Sequence, residues 1–471
     1  MAPWRAALCL LALGVAVFAA GCANRPINPP LAAYDPTYGY RVETANLREG
    51  SDRSTIMALA FSGGGTRAAA FAYGVLEELR RTPIIVDGTP RRLIDEIDIL
   101  TGVSGGSFTA LAYTQRGERL FDDFPERFLY RDVQGDLIAR ALAPWQWGKL
   151  ASTGWGRSEL AADYYDEILF DGATFGDLVG KPTPRAIVTG TDISTGARFG
   201  FTQGDFDVIC SDLSKVRLAR AAATSSAVPV LLSPVTFNNY AGTCGLYMPL
   251  WVQQRFSSGA AEGAAARVAE RHREISLLED SVNRPYLHIV DGGISDNLGL
   301  RAILEGLEEL EVSEAFRKFV NMRNFRRVVV IVVNARSAAR NEWDRSETGP
   351  GMLSILLQSA GVPIDRYSSE SLEHLKRTVD RWNARRETDA LSERLFGSPD
   401  APRTELALHA IDLSFDKVAD PTERDYLMGL PTSFVLPREA VDRLREAAAT
   451  LLRDSAAYRA LVRDLGGDLP H

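Results

Sequence analysis

Ile97-Asp98-Ile99-Leu100-Thr101-Gly102-Val103-Ser104-Gly105-Gly106 is the stretch from which the rest of this 471-residue chain can be read. Its apolar, β-branched first half predicts a buried strand that stops at Gly102. Gly102-Val103-Ser104-Gly105-Gly106 then fits the G-x-S-x-G elbow, a sharp strand-to-helix turn that lifts a serine hydroxyl above a sheet. Glycines on both sides suit a strained turn past which other backbone runs closely. Ser107 to Tyr113 continues as a helix, whose N-terminal amides point at negative charge forming near Ser104. Five residues alone also describe an ordinary Gly-Ser turn, so the reading depends on the rest of the chain.

A second unit of the same shape precedes it. Thr55 to Phe61 is a buried strand by composition and breaks at Ser62-Gly63-Gly64-Gly65-Thr66-Arg67. Ala68 to Leu79 follows as a helix, apolar at Phe71, Val75, Leu76 and Leu79. A phosphate loop would end in Gly-Lys-Ser/Thr, and a dinucleotide loop would read G-x-G-x-x-G; neither pattern is present. Two readings stay open: a close approach of helix to strand, or an oxyanion hole whose amides stabilise a tetrahedral intermediate. If the two units are neighbours, donors and Ser104 share one edge of a parallel sheet, where ligands bind in such folds.

The third constellation is Tyr286-Leu287-His288-Ile289-Val290-Asp291-Gly292-Gly293, a short strand ending in an aspartate. Asp291 reads either as a turn or capping residue or as the base that deprotonates Ser104. His288 lies on the opposite face by the two-residue period, and is expected to be a packed core residue. Further strands are expected at Arg185–Thr191, Ala197–Thr202, Arg327–Asn334 and Thr404–Asp412. Helices are expected at Lys215–Ala223, Asn297–Leu310 and Glu370–Arg394, with a closing surface helix at Arg438–Arg453. His409, near a late strand end, is the candidate should a Ser–His–Asp triad operate. Between Gln115 and Lys181 lie Phe121, Phe124, Phe128, Trp145, Trp147, Trp155, Tyr164 and Tyr165. They read as packing against the sheet or as a lipid-facing entrance. Asn238-Asn239 reads as a turn, and Gly259 to Ala269 as part of an insertion.

With 45% hydrophobic and 24% charged residues, the chain can bury a sizeable core. A net charge of −8 argues against nucleic acid as a partner. Arg5 and the apolar run Ala6–Ala20 form a leader too short to span a bilayer comfortably. Ala19-Ala20-Gly21-Cys22 resembles the lipobox of bacterial lipoproteins, with Ala19 where leucine is usual. That resemblance implies a signal peptide over 1–21 and lipidation of Cys22, a plain secretory signal being the other reading. Residues 22–53, rich in Pro, Asn, Tyr and Arg with little periodicity, read as a tether followed by a docking segment. With Ala23 after the cysteine, the lipobox resemblance favours an outer membrane, facing the periplasm. Of four cysteines, Cys9 would then be removed and Cys22 acylated. Cys210 and Cys244 remain, either as a disulfide in an oxidising compartment or as two buried thiols. No His/Cys cluster has zinc spacing.

Together, the glycine loop Ser62-Gly63-Gly64-Gly65-Thr66-Arg67, the elbow around Ser104 and Asp291-Gly292-Gly293 resemble the patatin-like phospholipases. Arg220 with Ser225-Ser226-Ala227-Val228-Pro229, and Leu430-Pro431-Thr432-Ser433-Phe434, are similar to further blocks of that family. Ala68 departs from the glycine that many members carry. The resemblance implies an α/β fold, a three-layer sandwich with a mostly parallel central sheet and helices on both faces. It implies a Ser–Asp dyad without histidine, Ser104 the nucleophile and Asp291 the base. Gly63, Gly64 and Gly65 would form the oxyanion hole with Arg67 holding the loop. Gly102 and Gly106 would shape the elbow, and Gly292 and Gly293 the dyad motif. The hydrolase domain would run over 54–453, with insertions at about 115–181 and 239–283 and a tail at 454–471. The implied function is a cofactor-free acyl hydrolase of phospholipids or other acyl-ester lipids (phospholipase A, lysophospholipase or esterase type). The other classes are an envelope lipoprotein that keeps the fold without catalysis, and an acyl transferase using the same residues.

Overall fold

The computed structural model describes residues 24–42, 54–152, 154–246, 264–312, 325–338, 349–396 and 406–467, with single residues 343 and 347. The leader over 1–21 and Cys22 lie outside the described residues.

The described residues hold ten strands. They are β1 (Thr55–Phe61), β2 (Pro83–Val86), β3 (Thr89–Arg92), β4 (Ile97–Gly102), β5 (Arg185–Asp192), β6 (Arg198–Gly200), β7 (Val235–Asn238), β8 (Tyr286–Asp291), β9 (Arg327–Asn334) and β10 (Ala407–Ser414). One sheet has the order β10-β9-β1-β4-β5-β8-β7, with β6 on β5; β2 and β3 form a separate hairpin. From β10 to β5 the neighbours are parallel. At β8 the direction reverses, and β7 is antiparallel to β8.

Helix α1 (Gly65–Arg81) follows β1, and α2 (Gly105–Arg116) follows β4. The insertion carries α3 (Val133–Leu142), and α4 (Leu218–Ser225) precedes β7. Later come α5 (Arg301–Val312), α6 (Met352–Phe396), α7 (Arg438–Asp454) and α8 (Ala456–Asp464). The period-two alternation of the strands sends their side chains to two cores. Met57, Leu59, Phe61, Val329 and Ile331 face α1, α2 and α7. Ala58, Ala60, Val328, Val330 and Val332 face α5 and α6. The result is the expected three-layer α/β sandwich. On α1, Phe71, Val75, Leu76 and Leu79 are fully buried, each worth about 2 kcal/mol by area. Helix α7 seats on α1 through buried Val441, Leu444 and Leu452. Arg445 binds Glu77 and Arg453 binds Glu78 at the margin. It is the closing surface helix expected, with its apolar stripe on α1 and its other face in water.

Several expectations need correcting. The helix expected from Asn297 starts at Arg301, because Gly299 takes φ +69° and the Asp296 carboxylate caps the amides of Leu300 and Arg301 at 3.0 and 2.9 Å. The expected strand Ala197–Thr202 shortens to β6, and the helix expected over 370–394 extends to α6. Residues 454–471 are not simply a tail: α8 buries Tyr458, Leu461 and Val462 in the main core. Within 22–53, residues 24–42 are docked: Leu31 N–H donates to Cys210 O at 2.7 Å, and Tyr40 is buried. Phe124, Phe128, Tyr164 and Tyr165 of the insertion are buried, whereas Trp145 and Trp147 face solvent. Asn239 is more than a turn residue: its buried amide donates to Leu278 O and Arg284 O at 2.8 and 3.0 Å.

Candidate active site

Register decides which loops meet. Phe61 of β1 stands beside Gly102 of β4, so the loops leaving these strands emerge side by side at one sheet edge. Val103 N–H donates to Phe61 O at 3.1 Å and ties them together. Ser104 has φ 48° and ψ −120°, a conformation that strains any residue with a Cβ and is kept only where surroundings over-determine it. The surroundings here are explicit. Ser104 N–H donates to Ser225 Oγ of α4 at 2.9 Å. Its carbonyl accepts the Ser107 N–H at 3.0 Å and the Ser107 hydroxyl at 2.6 Å.

Asp291 arrives from the opposite direction. In the sheet Gly102 lies beside Val188 and Asp291 beside Gly190, two residues further on. The aspartate is therefore level with the turn that carries Ser104. Its N–H donates to Ala227 O at 3.0 Å, and its carbonyl accepts from the Thr191 hydroxyl at 2.9 Å. Gly293 N–H donates to the carboxylate at 2.7 Å. The Ser104 hydroxyl faces that carboxylate closely enough to stabilise its charged form. Burial outweighs both donors and pushes the Asp291 pKa up to about 6. Serine and aspartate are each 6% exposed, so the pair is shielded from bulk water.

The glycine loop divides its labour. Gly63 N–H, read as an oxyanion donor, is spent on Asn297 O at 2.9 Å. Gly63 thus closes the loop rather than serving an oxyanion. Gly64 and Gly65 have φ of 140° and 60°; among the described residues neither amide donates a hydrogen bond. Arg67 is buried and reaches Ala335 O at 2.8 Å, Leu430 O at 2.6 Å and Thr432 Oγ1 at 3.0 Å. Burial lowers its pKa to about 10, still well above neutrality. Arg67 fastens the loop to the segments after β9 and before α7.

Two site residues escaped the sequence reading. Ser225 holds the Ser104 amide, and the only signal for it was its place in the quoted Ser225-Ser226 block. Asn297 has no local signal; its carbonyl binds Gly63, and its side chain lies against both Gly63 and Gly293. Arg220 makes a buried two-nitrogen pair with Glu159 at 2.8 and 3.1 Å and donates to Thr236 O at 3.0 Å. That clamps α4, and with it Ser225, against β7.

No described histidine joins the pair. His409 is level with Val329, Met57 and Ile97, at the far end of the strands from Ser104. His288 does project away from the core of β8, but it is exposed and bonds Thr236 Oγ1 at 3.0 Å rather than packing. Cys210 and Cys244 are joined as a disulfide beneath Leu31.

A sequence profile described as patatin-like phospholipase matches residues 59–304. No curated protein sequence matches the chain. Among solved structures, the chain is similar to human GIVD cytosolic phospholipase A2 at 12% identity and a TM-score of 0.40. That match covers 88% of this chain and 63% of the other. A second structure of that protein, in complex with methyl gamma-linolenyl fluorophosphonate, matches at 13% identity and a TM-score of 0.35. There the coverage is 88% and 59%. This chain thus spans somewhat less than two thirds of the length of those proteins. The profile takes in more than half of the chain, from within β1 to within α5 and through all three quoted motifs, and the chain belongs to the patatin-like phospholipase family.

Proposed function

We propose that this protein is a serine lipid acyl hydrolase that works with a Ser104–Asp291 dyad. The observation that carries the reading is the convergence of a strained serine, a buried carboxylate facing its hydroxyl, and two uncommitted amides at one sheet edge. A serine hydroxyl is a weak nucleophile until an adjacent base takes its proton. Ser104 Oγ attacks the ester carbonyl carbon while Asp291 accepts the hydroxyl proton. The amides of Gly64 and Gly65 stabilise the oxyanion. Collapse breaks the ester C–O bond, Asp291 returns the proton to the leaving alcohol, and the acyl group stays on Ser104. Water, deprotonated by Asp291, then releases the fatty acid and restores the serine. The substrate class is a phospholipid or another acyl-ester lipid. Acylation at Cys22 tethers the enzyme to a bacterial membrane, the outer membrane by the residue that follows it.

The test is hydrolysis of a chromogenic acyl ester and of phospholipid vesicles, with covalent labelling by a fluorophosphonate. Wild type should turn over and label. Ser104→Ala should lose both, and Asp291→Asn should lose turnover by about 10³-fold or more. Turnover that survives Ser104→Ala overturns the reading.

A further inference from the structure

Two independent features meet on one face of the protein. The first is where the N-terminal strap is fastened. Arg25 donates to Thr236 O at 3.1 Å, bonds the Asn238 side chain, and lies 5.5 Å over the Tyr286 ring. Asn28 is buried and exchanges hydrogen bonds with Asn238, donating at 3.0 Å and accepting at 2.7 Å. The strap is thus fixed to β7 and β8 from Arg25 onward. Cys22 stands three residues earlier, so fully extended chain carries it no more than about 11 Å from that point. An acyl anchor there has little slack, and the membrane surface must lie next to this face.

The second feature is apolar exposure. Arg25 lines a surface cavity whose other walls include Ala141, Leu150, Arg157, Ser233 and Pro234. Around it, the end of α3 and the turn after it expose Ile138, Leu142, Trp145 and Trp147, with Trp145 80% exposed. The loop before β7, which supplies Ser233 and Pro234 to the cavity wall, exposes Val230 and Leu231. Val230 is held at φ 75°, a costly conformation for a β-branched residue. That loop comes straight from the dyad, since Ala227, three residues before Val230, accepts the Asp291 N–H. The charges of the cavity wall are unbalanced. Glu159 pairs with Arg220, so the described lining residues offer Arg25 and Arg157 no other carboxylate. Exposed tryptophans and aliphatics beside uncompensated arginines suit the boundary between acyl chains and anionic headgroups.

We propose that this face, from Trp145 and Trp147 across the Arg25 cavity to Val230 and Leu231, is the surface that seats on an anionic bilayer. The inference rests on the membrane tethering proposed above, but its readout needs no catalysis. The full chain is reconstituted on phosphatidylcholine–phosphatidylglycerol vesicles with or without acyl chains brominated near the headgroup, and tryptophan fluorescence is compared. Wild type should be quenched, and Trp145→Phe/Trp147→Phe should lose most of that quenching while still floating with the vesicles. Equal quenching in wild type and double variant overturns the proposal, as does floating protein that is not quenched at all. Quenching that persists in a Ser104→Ala chain shows seating without turnover, which separates this result from the hydrolysis test.

Discussion

Gly105 lies directly against the backbone of Gly65, so close that a Cβ at Gly105 would overlap the Gly65 carbonyl. The helix that starts behind Ser104 and the helix that starts behind the glycine loop therefore meet backbone to backbone. Gly105→Ala must push the two loops apart by an ångström or more. Displacements of that size cost about 10²-fold in reactions that depend on alignment. Ester turnover should fall by at least that factor, with a stability loss of about 2 kcal/mol in chemical denaturation.

In the proposed dyad the base sets the pH profile. Asp291 must be ionised to accept the Ser104 proton, and its pKa is pushed up to about 6 by burial. Below that pH, log kcat/KM should fall by about one for each pH unit, and above it the profile should be flat. A plateau that extends down to pH 4 would contradict the assignment.

The same shift has a stability counterpart of the opposite sign to an ordinary paired carboxylate. In the unfolded chain Asp291 titrates near its reference value of about 3.9. The native state holds the proton more tightly, so stability falls as pH rises from the unfolded to the folded pKa, then levels. Asp291→Asn should accordingly be more stable than wild type at pH 8, by on the order of 3 kcal/mol. The difference should shrink towards pH 4, as thermal melts at the two pH values would show.

Arg67 spreads one guanidinium over three acceptors from two distant segments. Lysine carries charge but not the planar fork. Arg67→Lys should leave at least one buried carbonyl unpaired and cost about 1–3 kcal/mol. Turnover should fall 10- to 100-fold through kcat, because the Gly64 and Gly65 amides lose their fixed aim; an unchanged kcat would remove Arg67 from the positioning role.

The disulfide closes 34 residues of chain, a constraint worth about 4 kcal/mol by loop entropy. Replacing Cys210 and Cys244 by serine should lower stability by about that amount. It should also speed hydrogen exchange at Leu31 and Tyr34, whose amides donate to Cys210 O and Cys244 O.

Much of the site was legible because it is local. A strand, a glycine break and a helix lie within about 25 residues in both the Gly64 and Ser104 units, and backbone sterics confine such stretches to few shapes. Asp291 was legible as a carboxylate on a strand end followed by two glycines. What local pattern could not show is the direction of that strand. Asp291 could have met Ser104 on a parallel neighbour; β8 instead runs antiparallel to β5. Nor did the sequence distinguish Tyr165 from Trp147, aromatic residues of one insertion, yet one is buried in the main core and the other faces solvent.

Motif order, family, strand and helix periodicity, and the candidate serine and carboxylate were all legible in the chain as written. Partnership was decided only by the tertiary structure: Ser225 on the Ser104 amide, Asn297 taking the Gly63 donor, Arg67 reaching past β9, and the strap laid along β7. The reason is physical. Torsional preference and hydrophobic period act over a few residues, whereas which amide is spent and which stays open depends on groups hundreds of residues apart that only sheet register brings within hydrogen-bonding distance.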